Sequence, residues 1–174
     1  MRFKIRIFCI LFALNSCIEK ENASELNLDT SKISIIKYDA ANIDCAKIFR
    51  NAKPSTLNNE DLNKIELTID KIIEKQNPLE IQRFEESSKM YPNEHYKLED
   101  FILKKEDYIR RYLVVINLQG EKELFVALVC DSIAKDFDFR HTLKQGHGGG
   151  SCLFSFKLNL STNKYYDVQF NAEA

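Results

Sequence analysis

Beyond residue 108 the apolar side chains fall on or near every second position, and that period of two constrains the fold more than any other feature of the chain. Successive side chains of a strand point to opposite faces, so this period marks strands. Residues 108–117 and 121–130 are two such runs, separated by Leu118-Gln119-Gly120. They read as a hairpin, with Gly120 free to take a positive φ. Residues 151–160 alternate cleanly. Cys152, Phe154, Phe156, Leu158 and Leu160 share one face; Ser155, Lys157 and Asn159 share the other. This predicts a half-buried antiparallel strand. Ser161-Thr162-Asn163 turns the chain, and residues 165–171 return with Tyr166, Val168 and Phe170 pointing inward. Residues 137–144 are a further candidate strand.

Upstream the period changes to that of a helix. Leu62, Ile65, Ile69, Ile72 and Ile73 form one apolar stripe. Asn58 is placed to cap it, with Asp61 at N3 and Leu57 and Leu62 as a hydrophobic staple. The helix is predicted from Asn59 to about Lys75, ended by Asn77-Pro78, because proline disfavours a helical residue before it. Residues 79–106 are charged with scattered aromatics, which predicts a short helix near residues 80–88 and then irregular chain. Residues 33–38 are β-branched and read as an edge strand. The connector holding Asp44, Cys45, Ile48, Phe49 and Pro54 has no clear period. The sum is an α+β domain over residues 32–174. One amphipathic helix packs on an antiparallel meander of about four to five strands, leaving the other sheet face open.

The start of the chain carries a different signal. Arg2, Lys4 and Arg6 lead into an apolar stretch over residues 7–14, followed by Leu14-Asn15-Ser16-Cys17. A basic start, a short apolar core and a small residue before a cut make a signal peptide. The apolar core falls far short of the ~20 residues a spanning helix needs. Leu14-Asn15-Ser16-Cys17 resembles the lipobox of bacterial lipoproteins, in which the cysteine is lipidated and becomes the new N-terminus. That resemblance implies removal of residues 1–16 and a lipid anchor on Cys17. The competing reading is an ordinary secretory signal beside a chance cysteine. Ile18 stands where an aspartate would retain a lipoprotein in the inner membrane under the enterobacterial rule, so the outer membrane is the expected address within the cell envelope. Several acyl chains anchor stably where one does not, and the polar residues 17–31 suit a flexible tether.

Removing residues 1–16 takes three cations and no acids from the 25 Lys+Arg and 26 Asp+Glu, leaving 22 against 26, a net charge of −4. That balance argues against nucleic acid, which needs a basic face. Of the five cysteines, Cys9 leaves with the signal and Cys17 takes the lipid. Cys45, Cys130 and Cys152 remain, and an oxidising compartment favours one bridge and one leftover thiol. Cys130 ends a strand on the face of Leu124, Val126 and Leu128; Cys152 opens another on the face of Phe154 and Phe156. Both faces should look toward the helix, so a Cys130–Cys152 disulfide is expected if their strands are neighbours, with Cys45 free.

No constellation of catalytic or metal-binding residues stands out. His147-Gly148-Gly149-Gly150 is similar to the oxyanion loop of esterases, but the Gly-x-Ser-x-Gly elbow that loop serves is missing. The phosphate-binding Gly-Lys-Ser/Thr ending is missing too. His95, His141 and His147 show no ligand spacing, and no Cys-x-x-Cys occurs. Neither a metal nor a cofactor is expected. Lys104-Lys105 and Arg110-Arg111, with Glu106 and Asp107 between, read as a solvated charged face.

Over about two thirds of its length the chain resembles a group of small bacterial lipoproteins with no assigned activity. The likeness rests on Arg111-Tyr112, Val115-Ile116-Asn117, Gly120-Glu121-Lys122, Cys130, Gly149-Gly150-Ser151-Cys152, Lys164-Tyr165-Tyr166 through Asn171, and Asn51-Ala52-Lys53-Pro54. At the end, Asn171-Ala172-Glu173-Ala174 departs from the group's commoner Asn-Gly-x-Ala. These motifs are structural, so the resemblance implies a fold and no chemistry. The expected role is a lipid-anchored, non-catalytic envelope protein that binds a protein, peptide or glycan. A small hydrolase using His147 and Cys152 is the alternative.

Overall fold

The computed structural model describes residues 29–134 and 150–171. Six strands form one mixed sheet: β1 (Ile33–Ile36), β2 (Lys53–Pro54), β3 (Tyr108–Ile116), β4 (Lys122–Cys130), β5 (Leu153–Asn159) and β6 (Lys164–Phe170). The order is β1-β3-β4-β5-β6, with the short β2 also paired to β3. β3, β4, β5 and β6 form the expected antiparallel meander. β1 is an edge strand, as its sequence predicts, but it runs parallel to β3, with Ile33 opposite Arg110. The α+β class therefore holds, with one parallel pair. A single 3-10 turn, Thr30–Lys32, falls partly inside the stretch read as tether.

The β3–β4 turn forms for a local reason. Asn117 Oδ1 accepts from the backbone amides of Gln119 (3.0 Å) and Glu121 (2.9 Å), and Gly120 takes φ 80°. A side-chain carbonyl in this position mimics a backbone turn, and glycine adopts the positive φ at no steric cost.

Among the described residues three α-helices accompany the sheet: α1 (Ile43–Ile48), α2 (Asn59–Met90) and the single turn α3 (Asp131–Ala134). α2 begins where the sequence places it. The Asp61 amide donates to the Asn58 side chain at 2.8 Å, and the Asn58 amide donates back to the Asp61 carboxylate at 3.0 Å. Its end is a correction. The helix does not stop at Asn77-Pro78 but continues to Met90 with Pro78 inside it. Proline removes one intrahelical bond and crowds the preceding turn. Here tertiary bonds hold the chain helical through that point. The Asn77 carboxamide accepts from the Leu103 amide (2.8 Å) and donates to its carbonyl (3.1 Å). Two residues beyond the proline, Glu80 is buried. Farther along, Phe84 packs edge-on against Phe101, as does Tyr96, tying the irregular segment to the helix.

The stripe of α2 lies on one sheet face. Ile65, Ile69, Ile72 and Ile73 pack with Tyr112, Val114, Leu124, Val126, Leu128, Phe154, Phe156 and Leu158. The opposite face is not open, as expected, but covered in part. Cys45 and Phe49, from α1 and its end, and Tyr38 pack on Leu113, Val115, Phe125 and Ala127. A connector without period could not announce this, because six residues of helix carry too few apolar positions to show one.

β6 brings another correction. Tyr166 does not point inward. Lys157 pairs with Tyr166 while Ser155 pairs with Gln169, so a bulge lies between them, and Asp167 sits at φ 52°. A bulge inserts one residue and reverses the alternation beyond it. Tyr166 thus bonds Glu123 on the α1 side, while Tyr165, Val168 and Phe170 line a small groove against Ile72 and Leu79 of α2.

Candidate functional site

A concavity of about 620 Å3 lies where the second half of α2, the irregular segment before β3, and the ends of β3, β4 and β5 meet. Cys130 and Cys152 are disulfide-bonded at its wall, with Cα atoms 4.9 Å apart, and Cys45 is a buried free thiol. The expected pairing holds because the last paired residues of β4 and β5, Val129 and Leu153, put the two cysteines side by side. The bond also brings together the two ends of residues 131–151.

A polar clamp fixes the inner wall. Gln76, Glu80 and Arg83 lie within two turns on one side of α2, where side chains three and four apart are neighbours. Glu80 is 2% exposed. Its Oε1 accepts from Gln76 Nε2 (2.8 Å) and Ser151 Oγ (2.5 Å), and its Oε2 accepts from Arg83 Nη1 (3.0 Å). Arg83 Nη1 also donates to Ser151 Oγ at 3.2 Å. The Tyr108 hydroxyl donates to the Ser151 carbonyl at 2.8 Å, and burial, aided by the charges of Glu80 and Asp107, raises its pKa. Both Glu80 oxygens are occupied by donors of the protein itself. The clamp is therefore a brace that seats the start of β5 on the helix, and its carboxylate is committed to those bonds.

The rest of the lining differs from that wall. The charged residues Glu99, Asp100, Lys104, Asp107 and Asp131 form its exposed rim, together with the more buried Phe101, Leu103 and Tyr108. Asp131 is already bonded to Lys32 at 2.5 Å, and Lys32 Nζ also donates to the Glu106 carbonyl. Glu99 makes only a loose pair with Lys97, at 3.7 Å.

A second polar cluster sits beneath α2. Arg110 Nη1 donates to both oxygens of Glu66 at 2.7 Å, and the Tyr112 hydroxyl donates to Oε1 at 2.9 Å. Lys105 bridges outward from Glu66 (3.5 Å) to Asp70 (2.7 Å). Burial alone would lower the Arg110 pKa, but the Glu66 charge and hydrogen bond outweigh it and raise it. Arg111 points to the other face, where burial pulls its guanidinium down to about 10. The solvated face expected for Arg110-Arg111 is thus a correction: both are buried, because they occupy the middle of the sheet's paired region.

Among the remaining sequence candidates, Cys17, His141, His147 and the strand expected over residues 137–144 lie outside the described residues. His95 is exposed in the irregular segment. Cys152 Sγ is bonded to Cys130. Among the described residues no group of His, Cys, Asp and Glu is arranged to hold a metal ion, and no helix is long and apolar enough to cross a membrane. The clamp of Glu80, Arg83 and Ser151 escaped the sequence reading. Its signal is the Gln76, Glu80, Arg83 spacing, legible only if the helix is carried past Pro78. No protein-family model, curated protein or solved structure matches this chain.

Proposed function

We propose that this chain is a lipid-anchored protein of the bacterial envelope that acts by binding, through the disulfide-walled cleft, and not by catalysis. The observation that carries the reading is the construction of that cleft. It is large enough for a peptide or a small glycan, and its wall is braced by a disulfide, a buried carboxylate and a tyrosine hydroxyl bond, so it is preorganised. The groups best suited to chemistry, Glu80 and Cys152, are consumed in bracing it. The anchor reading is supported by Leu14-Asn15-Ser16-Cys17 and the polar residues that follow it, and by the resemblance to small bacterial lipoproteins.

Two measurements test it. Cys17→Ser should block lipidation and move the protein out of the detergent phase; a variant that still partitions like wild type removes the anchor. A photocrosslinking residue at Glu99, on the cleft rim, should form a discrete adduct in envelope preparations. The same residue at Leu67, exposed on α2, should not. Equal labelling from both positions, or none from Glu99, refutes the binding role.

A further inference from the structure

We infer that the cleft takes a basic peptide segment of a partner protein, with a lysine or arginine side chain laid along its apolar lining. This rests on the binding role proposed above and gives that site its ligand class. The argument is one of charge left unspent. Of the cleft's acids, Glu80 is neutralised by Arg83 and Asp131 by Lys32. The side chains of Asp100 and Asp107 have no hydrogen bond or ion pair among the described residues, and Glu99 has only its loose pair with Lys97. Lys104 is the rim's one cation without such a partner among them. Among the described residues the uncommitted rim is therefore net negative. Phe101 and Leu103 line the same cleft and offer it apolar surface, and Leu103 is buried to 8% exposure. A long cationic side chain matches both parts: its methylene stem covers apolar surface while its head stays at the carboxylates. A peptide with an acidic side chain would meet repulsion at the same place, which makes the rim a discriminating element as well as an attractive one.

The test uses the full chain in nonionic detergent and calorimetric titration with three probes: the capped tetrapeptide Lys-Leu-Lys-Leu, its counterpart Glu-Leu-Glu-Leu, and spermidine. The lysine peptide should bind, and more weakly as salt is raised. The glutamate peptide should not bind. Asp100→Asn combined with Asp107→Asn should weaken lysine-peptide binding on the order of five- to tenfold, as two exposed ion pairs warrant. Both positions lie in surface segments, and an unchanged melting temperature will show that the variant is folded. Equal binding of the glutamate peptide, or unchanged affinity in the double variant, overturns the inference. Spermidine binding as tightly as the lysine peptide also overturns it, because charge alone would then suffice. If no probe binds while the Glu99 crosslink persists, the ligand class falls and the binding role stands.

Discussion

The two faces of the sheet are covered by different means. On one, the 32-residue α2 lays a continuous stripe over the core and carries a carboxylate, Glu66, to meet Arg110 and Tyr112 in the interior. On the other, the six-residue α1 and its flanks supply a smaller patch, secured by one polar bond from the Tyr38 hydroxyl to the Phe49 carbonyl at 2.9 Å. A long helix spans several strands, so it can bury a charge and still bring enough partners to satisfy it. A short helix lacks that reach, and its face depends on packing a few apolar side chains. The first face should therefore dominate stability and tolerate error least.

The largest effect should come from the stripe. Ile69 is fully buried. Ile69→Asp should abolish cooperative unfolding in urea, and Ile69→Ala should cost ~2–5 kcal/mol. A folded, unshifted Ile69→Asp protein would invert the ranking of the faces. Next is the buried pair. Arg110→Met takes the nearest cation from the buried Glu66 carboxylate, leaving it the Tyr112 hydroxyl and the more distant Lys105; it should cost ~3–5 kcal/mol, and adding Glu66→Leu should recover most of it. A single variant costing under ~1 kcal/mol would mean that water reaches the pair.

The disulfide, at the end of the sheet, should come third. Cys130→Ser with Cys152→Ser should lose ~3 kcal/mol by the chain-entropy model for a loop of this size. Peptide mapping without reduction should find these cysteines linked, with Cys45 alkylated only after unfolding; any bridge through Cys45 contradicts the strand order. On the second face, Tyr38→Phe should cost only ~0.5–1.5 kcal/mol, the net worth of one hydrogen bond. A loss well above that would make α1 as important as α2.

The smallest effect is acid-dependent. Burial would raise the Asp61 pKa, but the bonds from Lys122 (2.8 Å) and the Asn58 amide outweigh it and lower it. A depressed folded pKa contributes stability above the unfolded value of about 4 and loses it as pH falls through the folded value. Asp61→Asn should therefore be less stable than wild type at pH 7, with the gap closing below about pH 4. A gap independent of pH would show that the capping hydrogen bond, and not the charge, is what matters at the start of α2.

The period-two runs, the capped helix start and the apolar stripe were legible in the sequence because each is a local pattern repeated over many residues. The Cys130–Cys152 bond followed from them, since strand ends on one face of neighbouring strands bring cysteines together. Local pattern also determined the turn at Asn117 and Gly120. Tertiary structure alone decided the rest. Pro78 opposes helix locally, yet the bonds of Asn77 to Leu103 and the burial of Glu80 keep α2 running to Met90. The bulge at Asp167 put Tyr166 on the face opposite to Val168 and Phe170. Arg110 and Arg111 read as solvated because charge beside charge usually is, and they are buried because a carboxylate 44 residues away in sequence meets one and the sheet encloses the other. The cleft belongs to this second group. Its clamp joins Glu80 to Ser151 across 71 residues, and contacts between distant residues leave no period in a sequence. They exist only once the apolar pattern has folded the chain around them.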